Sequence, residues 1–171
     1  MKKITTALLL SSFVLAAGTA HAGGYVGLSV GHADYPGEFD NSISYSVKGG
    51  YEVSENLAFE LGYVNFGKAK AKADLTSAEA EVTGVNTSIV GIAPLNPNLD
   101  VFVKVGVIFW NVNVSVDGLG RFVDDNGTDP SFGFGGAYHV TGDISVVTEY
   151  QRFDIDGGDI DNFSVGLHLY F

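Results

Sequence analysis

Apolar and polar residues alternate with a period of two along most of the chain, and helical spacing is nearly absent. In the last stretch Phe163, Val165, Leu167, Leu169 and Phe171 fall on one face, and Ser164, Gly166, His168 and Tyr170 on the other. Leu57, Phe59, Leu61 and Tyr63 oppose Ala58, Glu60 and Gly62. Val101, Val103, Val105, Val107 and Phe109 oppose Phe102, Lys104, Gly106, Ile108 and Trp110. Ile144, Val146, Thr148 and Tyr150 oppose Ser145, Val147, Glu149 and Gln151, and Val26, Leu28 and Val30 oppose Tyr25, Gly27, Ser29 and Gly31. The alternation predicts eight strands, over residues 24–33, 42–53, 56–66, 81–93, 99–116, 131–140, 143–154 and 162–171. In the fourth segment, Val82 to Ala93, neither face is cleanly apolar, and the pattern assigns no face.

The connections alternate in length. Ser54-Glu55, Pro94 to Asn98 and Thr141-Gly142 are short and carry turn residues. Between them, residues 34–41, 67–80, 117–130 and 155–161 are longer and polar, and are expected to be loops. Strands of about ten residues, with short turns at one end and long loops at the other, describe an all-β, eight-stranded antiparallel up-and-down transmembrane β-barrel. Closure pairs every backbone N–H and C=O where no water is present to do so. A soluble β-sandwich would show the same alternation with its apolar set inward. Two features favour lipid. The polar face carries small residues and isolated charges, suited to a narrow lumen, and Tyr51, Tyr63, Tyr138 and Tyr150 sit on the apolar face toward strand ends, as in an interfacial aromatic girdle.

Composition narrows the class further. Cysteine is absent, which excludes a disulfide framework, a thiolate metal site and a cysteine nucleophile. Twenty Asp+Glu stand against nine Lys+Arg, so the basic footprint of a nucleic-acid partner is missing. At the start, Met1-Lys2-Lys3, the apolar run Ala7 to Ala17 and Ala20-His21-Ala22 read as a Sec signal peptide over residues 1–22. The apolar run is too short for a spanning helix. Residues 23–171 are then the barrel domain and carry seven Lys+Arg against 20 Asp+Glu, a net charge of −13.

With that pattern in place, the chain resembles the transmembrane domain of the outer membrane protein A family. The resemblance lies in Gly24-Tyr-Val-Gly-Leu-Ser-Val-Gly31, Gly49-Gly-Tyr51, Ala58-Phe-Glu-Leu-Gly-Tyr63, Leu99-Asp-Val-Phe-Val-Lys-Val-Gly106, Trp110, Gly135-Gly136, Thr148-Glu-Tyr-Gln151 and the terminal Phe163–Phe171. It implies a bacterial outer-membrane location among outer-membrane lipids and lipopolysaccharide, with the short turns periplasmic and the long loops outside. It also implies a terminal strand ending in Phe171 that serves as a signal to the barrel assembly machinery. Many members continue into a peptidoglycan-binding domain; this sequence stops at Phe171, and the tethering role is expected to be missing. Family members carry inward charges proposed to gate the lumen. Glu60, Lys104 and Glu149 match such positions, Lys48 has no counterpart, and Ile89, Ala137 and Val147 stand where further gate charges are expected.

The candidate chemistry is sparse. Lys48, Glu60, Lys104 and Glu149 are expected to point inward and neutralise one another, Lys48 beside Glu60 and Lys104 reaching Glu149 across the lumen. The alternatives are a structural plug and a switchable ion gate. Carboxylates cluster at Asp124, Asp125 and Asp129, and again at Asp154, Asp156, Asp159 and Asp161. Such oxygens suit a hard divalent cation such as calcium, but neither run has EF-hand spacing, and a solvated loop that keeps strand edges apart is the favoured reading. Lys68, Lys70 and Lys72 alternate and suit lipid phosphates, or form a charged strand extension. His32 and Asp34 with Ser42 or Ser131 are the nearest approach to the rim site of a small barrel acyltransferase or protease, the alternative being an enzyme acting on lipids, and no catalytic motif stands out. The expectation is a monomeric, non-enzymatic envelope protein without a cofactor: a structural barrel, a surface-contact protein acting through its outer loops, or at most a narrow pore.

Overall fold

The computed structural model describes residues 23–35, 41–73, 76–116, 120–155 and 158–171. Eight strands follow one another: β1 (Gly24–Asp34), β2 (Ser42–Ser54), β3 (Leu57–Ala73), β4 (Thr76–Asn96), β5 (Leu99–Val116), β6 (Gly120–His139), β7 (Ile144–Phe153) and β8 (Ile160–Tyr170). Each pairs antiparallel with its sequence neighbour, and β1 pairs with β8, so the sheet closes into a barrel. Backbone bonds between Gly24 and the terminal Phe171 finish the seam at 2.9 Å in both directions. The proposed signal segment lies outside the described residues.

The outer surface is apolar and exposed. Leu28, Tyr45, Phe59, Leu61, Val103, Phe109, Phe134, Phe163 and Leu167 point outward from the barrel. An exposed hydrophobic surface that runs round the molecule is stable when hydrocarbon surrounds it. Tyr51, Tyr63 and Tyr138 are outward and exposed, and the Tyr150 ring meets that of Phe134 at 5.2 Å. No described helix is long and apolar enough to cross a membrane, and the barrel crosses with strands.

Two expected loops are strands. Residues 67–73 continue β3 and pair with 76–81 of β4, and residues 120–130 continue β6 and pair with β5 up to Val116↔Gly120. Alternating Ala and Lys opposite alternating Glu and Ala makes a regular ladder: Lys68 is opposite Glu81 and Lys70 opposite Glu79. Opposed charges favour such pairing, so polarity alone does not mark a loop. A bulge between Asn65 and Lys68 turns the strand, with Gly67 at φ +78°, a conformation that suits glycine. The outer parts of β3 to β6 therefore stand as a four-stranded sheet beyond the ends of β1, β2, β7 and β8.

β4, unassigned from its pattern, turns Val82, Asn86, Ser88 and Val90 inward and Val85, Thr87 and Ile89 outward. Ile89 is thus a lipid-facing residue, not a substituted gate position as expected; Ala137 and Val147 do face inward. The parity was illegible because β4 puts Thr87 toward lipid and valines in the lumen.

Candidate functional site

The lumen is filled in layers. Toward the short-turn end lies an apolar cluster of Ala58, Val90, Phe102, Ala137 and Val147. Toward the other end a larger one contains Ala33, Val64, Phe66, Val82, Ile108, Trp110, Phe153, Ile155 and Ile160. Its rings interlock, Phe66 meeting Phe153 edge-on at 4.8 Å. The indole Nε1 of Trp110 donates to Asp129 at 2.5 Å, and Gly127 leaves room for that ring, since a Cβ there would lie 2.4 Å from it.

Between the two clusters sit the four charged residues. Lys104 Nζ lies 2.7 Å from Glu60 and 2.6 Å from Glu149. Lys48 Nζ lies 2.9 Å from Glu149 and 3.7 Å from Glu60. All four side chains are at most 8% exposed. Two cations and two carboxylates thus form a ring with no net charge. Burying such ions is unfavourable unless each has close partners of opposite sign. Lys48 is opposite Gly62 and Glu60 opposite Gly50, so Lys48 and Glu60 are diagonal neighbours across β2 and β3 and still pair. Lys48 also reaches across the lumen to Glu149, a contact not expected from the sequence. Tyr25 adds a hydroxyl donated to Glu60 at 2.8 Å, and its ring stacks on His168 at 4.6 Å. That ring lies over Gly50, where a Cβ would come within 2.1 Å of it. Above the ring, Ser131 donates to Asn86, which donates to Ser88, and Ser44 donates to Asn162.

The short-turn end carries a chain not expected from the sequence. Asp100 lies 2.7 Å from His139 Nε2, and His139 Nδ1 lies 2.7 Å from the Ser145 hydroxyl. The residue types are those of a Ser-His-Asp triad, but the two ring nitrogens are exchanged relative to it, and Ser145 is fully buried, which denies an acyl substrate access to the hydroxyl. The three residues tie β5, β6 and β7 together. A signal existed: the Thr141-Gly142 turn places His139 opposite Ser145.

At the long-hairpin end, the candidate hydrolase residues do not assemble. His32 lies 3.2 Å from Asp34 with both exposed, but Ser42 donates to the Lys68 carbonyl and Ser131 to Asn86. Asp124, Asp125 and Asp129 lie on β6 rather than in a loop. Asp154 and Asp159 lie in the β7–β8 connection and Asp161 on β8; Asp156 is outside the described residues. Arg152 binds Asp159 and lies 3.7 Å from Asp161, which also accepts from Tyr150 at 2.7 Å. Arg152 holds the Asp159 carboxyl below its usual range, while a hydrogen bond to Asp159 raises that of Asp154. A carboxylate set with its own arginine is partly neutralised already, and no group of three metal-ligating side chains converges among the described residues.

Comparison with known proteins agrees with this geometry. Outer membrane protein A of Klebsiella pneumoniae is 30% identical over 147 residues, covering 78% of this chain and 43% of that protein. The Salmonella typhi protein of the same name is 31% identical over 123 residues, covering 70% and 35%. The chain thus spans less than half the length of these relatives. Among solved structures, Neisserial surface protein A superposes with a TM-score of 0.66 at 16% identity, covering 90% of this chain and 99% of that one. Ail, the attachment invasion locus protein of Yersinia pestis, gives 0.60 at 13% identity, covering 88% and 97%. These two likenesses are of fold. The family model for the OmpA-like transmembrane domain matches residues 16–162, and the chain belongs to that family, as a β-barrel of the outer membrane.

Proposed function

We propose that the protein is a non-enzymatic structural component of the bacterial outer membrane whose lumen is closed to ions and solutes. The observation that carries this reading is the ring of Lys48, Glu60, Lys104 and Glu149 held between two apolar clusters. An ion in transit would have to displace charges already paired at 2.6–2.9 Å. In this reading the short turns are periplasmic and the outer parts of β3 to β6 stand outside the cell. Residues 1–22 are the export signal, and the strand ending in Phe171 addresses the chain to the barrel assembly machinery. The barrel acts as a monomer among outer-membrane lipids and lipopolysaccharide. The acidic residues of the outer rim act as a solvated surface, with weak divalent binding as the alternative. A strain lacking the protein should become sensitive to bile salts and detergent, and the gene supplied in trans should restore resistance. Unchanged resistance combined with slower uptake of a small solute would favour a pore instead.

A second reading, contact with an external surface, has one observation in its favour: the sheet formed by the outer parts of β3 to β6 projects past the other four strands. Exchanging these hairpins for tight turns should abolish cell adhesion if that reading holds.

A further inference from the structure

We propose, on the reading that the outer parts of β3 to β6 stand outside the cell, that their outward face just above the lipid-facing band docks the uncharged sugar headgroup of a glycolipid lying beside the barrel. The register sets the outward residues in rows across the four strands. Tyr63, Val85 and Phe109 are in line, with Thr128 next to them on β6. The first three are exposed and close the apolar band of the barrel. One row further out stand Asn65, Thr83, Asn111 and Asn126. Their chain neighbours Val64, Val82 and Trp110 are buried in the lumen, and Gly127 lies against the Trp110 ring, which fixes this row on the outer face.

That row carries no charge. Charges begin one step beyond it, where Lys68 is opposite Glu81. The rest of the rim differs: above the apolar band on β7, β8 and β1 stand Arg152, Asp161 and the His32–Asp34 pair, already engaged with one another. Within the row, Asn65 is occupied, its amide donating to Glu81 at 3.0 Å and its oxygen accepting from the Gly67 N–H at 2.7 Å. Among the described residues, no hydrogen bond engages the side chains of Thr83, Asn111, Asn126 or Thr128. Asn111, Asn126 and Thr128 are exposed, and Thr83 is partly so.

The open groups select the occupant. An Asn side chain offers two N–H donors and a carbonyl acceptor, and a Thr hydroxyl both donates and accepts. A sugar hydroxyl does the same, so an uncharged row of this kind matches the edge of a saccharide. A phosphate headgroup offers acceptors and is met best by Arg or Lys, which the row lacks. A divalent cation calls for carboxylates, which it also lacks. Four strands about 4.8 Å apart make the row about 14 Å wide, room for two sugars rather than one. Height selects a lipid over a free sugar. The row lies about 6–7 Å above the Val85–Phe109 row, so a headgroup resting on it leaves its acyl chains against Phe109, Val105 and Val103, exposed on the same face of β5.

The test uses the purified full-length barrel in phosphatidylcholine nanodiscs doped with digalactosyl diacylglycerol, a neutral two-sugar lipid, or with anionic phosphatidylglycerol. Native mass spectrometry reads the lipids retained, and the side-chain amide resonances of Asn111 and Asn126 report contact. The galactolipid is expected to be retained over phosphatidylglycerol, to shift both amides, and to persist at high salt, since no ion pair holds it. Thr83→Val, Asn111→Leu and Asn126→Leu each remove one polar group and should each lower retention about fivefold, while Arg152→Gln on the far side should leave it unchanged. Heat-modifiable gel mobility checks that the variants fold, and where one does not, the amide shifts in the unaltered barrel decide. Equal retention of the two lipids, unmoved amides, or retention untouched by the three substitutions together would overturn the proposal. So would a preference for phosphatidylglycerol that salt removes, which would assign the face to phosphate. Free digalactose as effective as the lipid, or dimers abolished by Asn111→Leu, would likewise overturn it, in favour of a soluble sugar or a second copy. Orientation is read separately, with an impermeant thiol reagent on whole cells carrying Asp125→Cys in a chain otherwise without cysteine. Labelling is expected; its absence would overturn the outside-the-cell reading, while the nanodisc result still judges the face.

Discussion

Substituting Lys104 by Met removes the cation that bridges both carboxylates while keeping most of the side-chain volume. Lys104 sits at 2.7 Å from Glu60 and 2.6 Å from Glu149 with 2% of its side chain exposed. Its loss leaves two buried carboxylates sharing Lys48 alone and a net charge of −1 in the lumen. Breaking a fully buried pair in this way costs about 3–5 kcal/mol. With a urea dependence of about 2 kcal/mol per molar, the unfolding midpoint in detergent should fall by roughly 1.5–2.5 M. Neutrality returns if one carboxylate is also removed. In Lys104→Met with Glu60→Gln the remaining pair is Lys48–Glu149, at 2.9 Å; in Lys104→Met with Glu149→Gln it is Lys48–Glu60, at 3.7 Å. Both doubles should be more stable than the sum of their single losses predicts, and the first should be the more stable of the two. Lys48 with Glu60 should show the weakest coupling of the four cross pairs. Equilibrium unfolding of singles and doubles gives these coupling energies directly. Losses additive to within about 0.5 kcal/mol for Lys104 with Glu60 and with Glu149 would show that the ring does not exist in the folded barrel.

Other outcomes follow from the packing. Trp110 is the single tryptophan and is 4% exposed in the outer apolar cluster, so its emission should be blue-shifted, insensitive to iodide and lost on unfolding. Gly50→Ala would push a methyl against the Tyr25 ring, which is held by its bond to Glu60; a loss of about 1–3 kcal/mol is expected in urea unfolding. Val105→Lys places a charge on the exposed outer face of β5 and should cost about 2–4 kcal/mol in lipid, whereas Asp125→Lys, on the outer extension of β6, should leave stability within about 0.5 kcal/mol.

The barrel was legible because lipid outside and a packed lumen inside impose opposite demands on alternate residues. Where both demands were met, as in Phe163 to Phe171 and Val101 to Trp110, the faces follow directly. β4 hid its parity because the lumen itself is partly apolar: Val82 and Val90 belong to the two inner clusters, which a polar-inside rule does not anticipate. The extensions of β3 and β6 hid for a different reason. Lys, Asp, Asn and Gly are the residues of loops, and what turns them into strands is pairing with a partner strand, a property of the register rather than of either segment. The charged ring shows the same limit. Alternation places Lys48, Glu60, Lys104 and Glu149 on the inner face, but which carboxylate each lysine meets depends on the stagger of the strands round the barrel. The Asp100–His139–Ser145 chain, assembled from three strands, was illegible except for the His139–Ser145 half that one short turn fixes.

The closed lumen is tested most directly by planar-bilayer recording of the purified barrel at 1 M salt. The account predicts a baseline free of ion steps for the unaltered protein. Reproducible single-channel steps from that protein, lost when the Lys104 ring is rearranged by Lys104→Glu with Glu60→Lys, would contradict it and make the ring a gate.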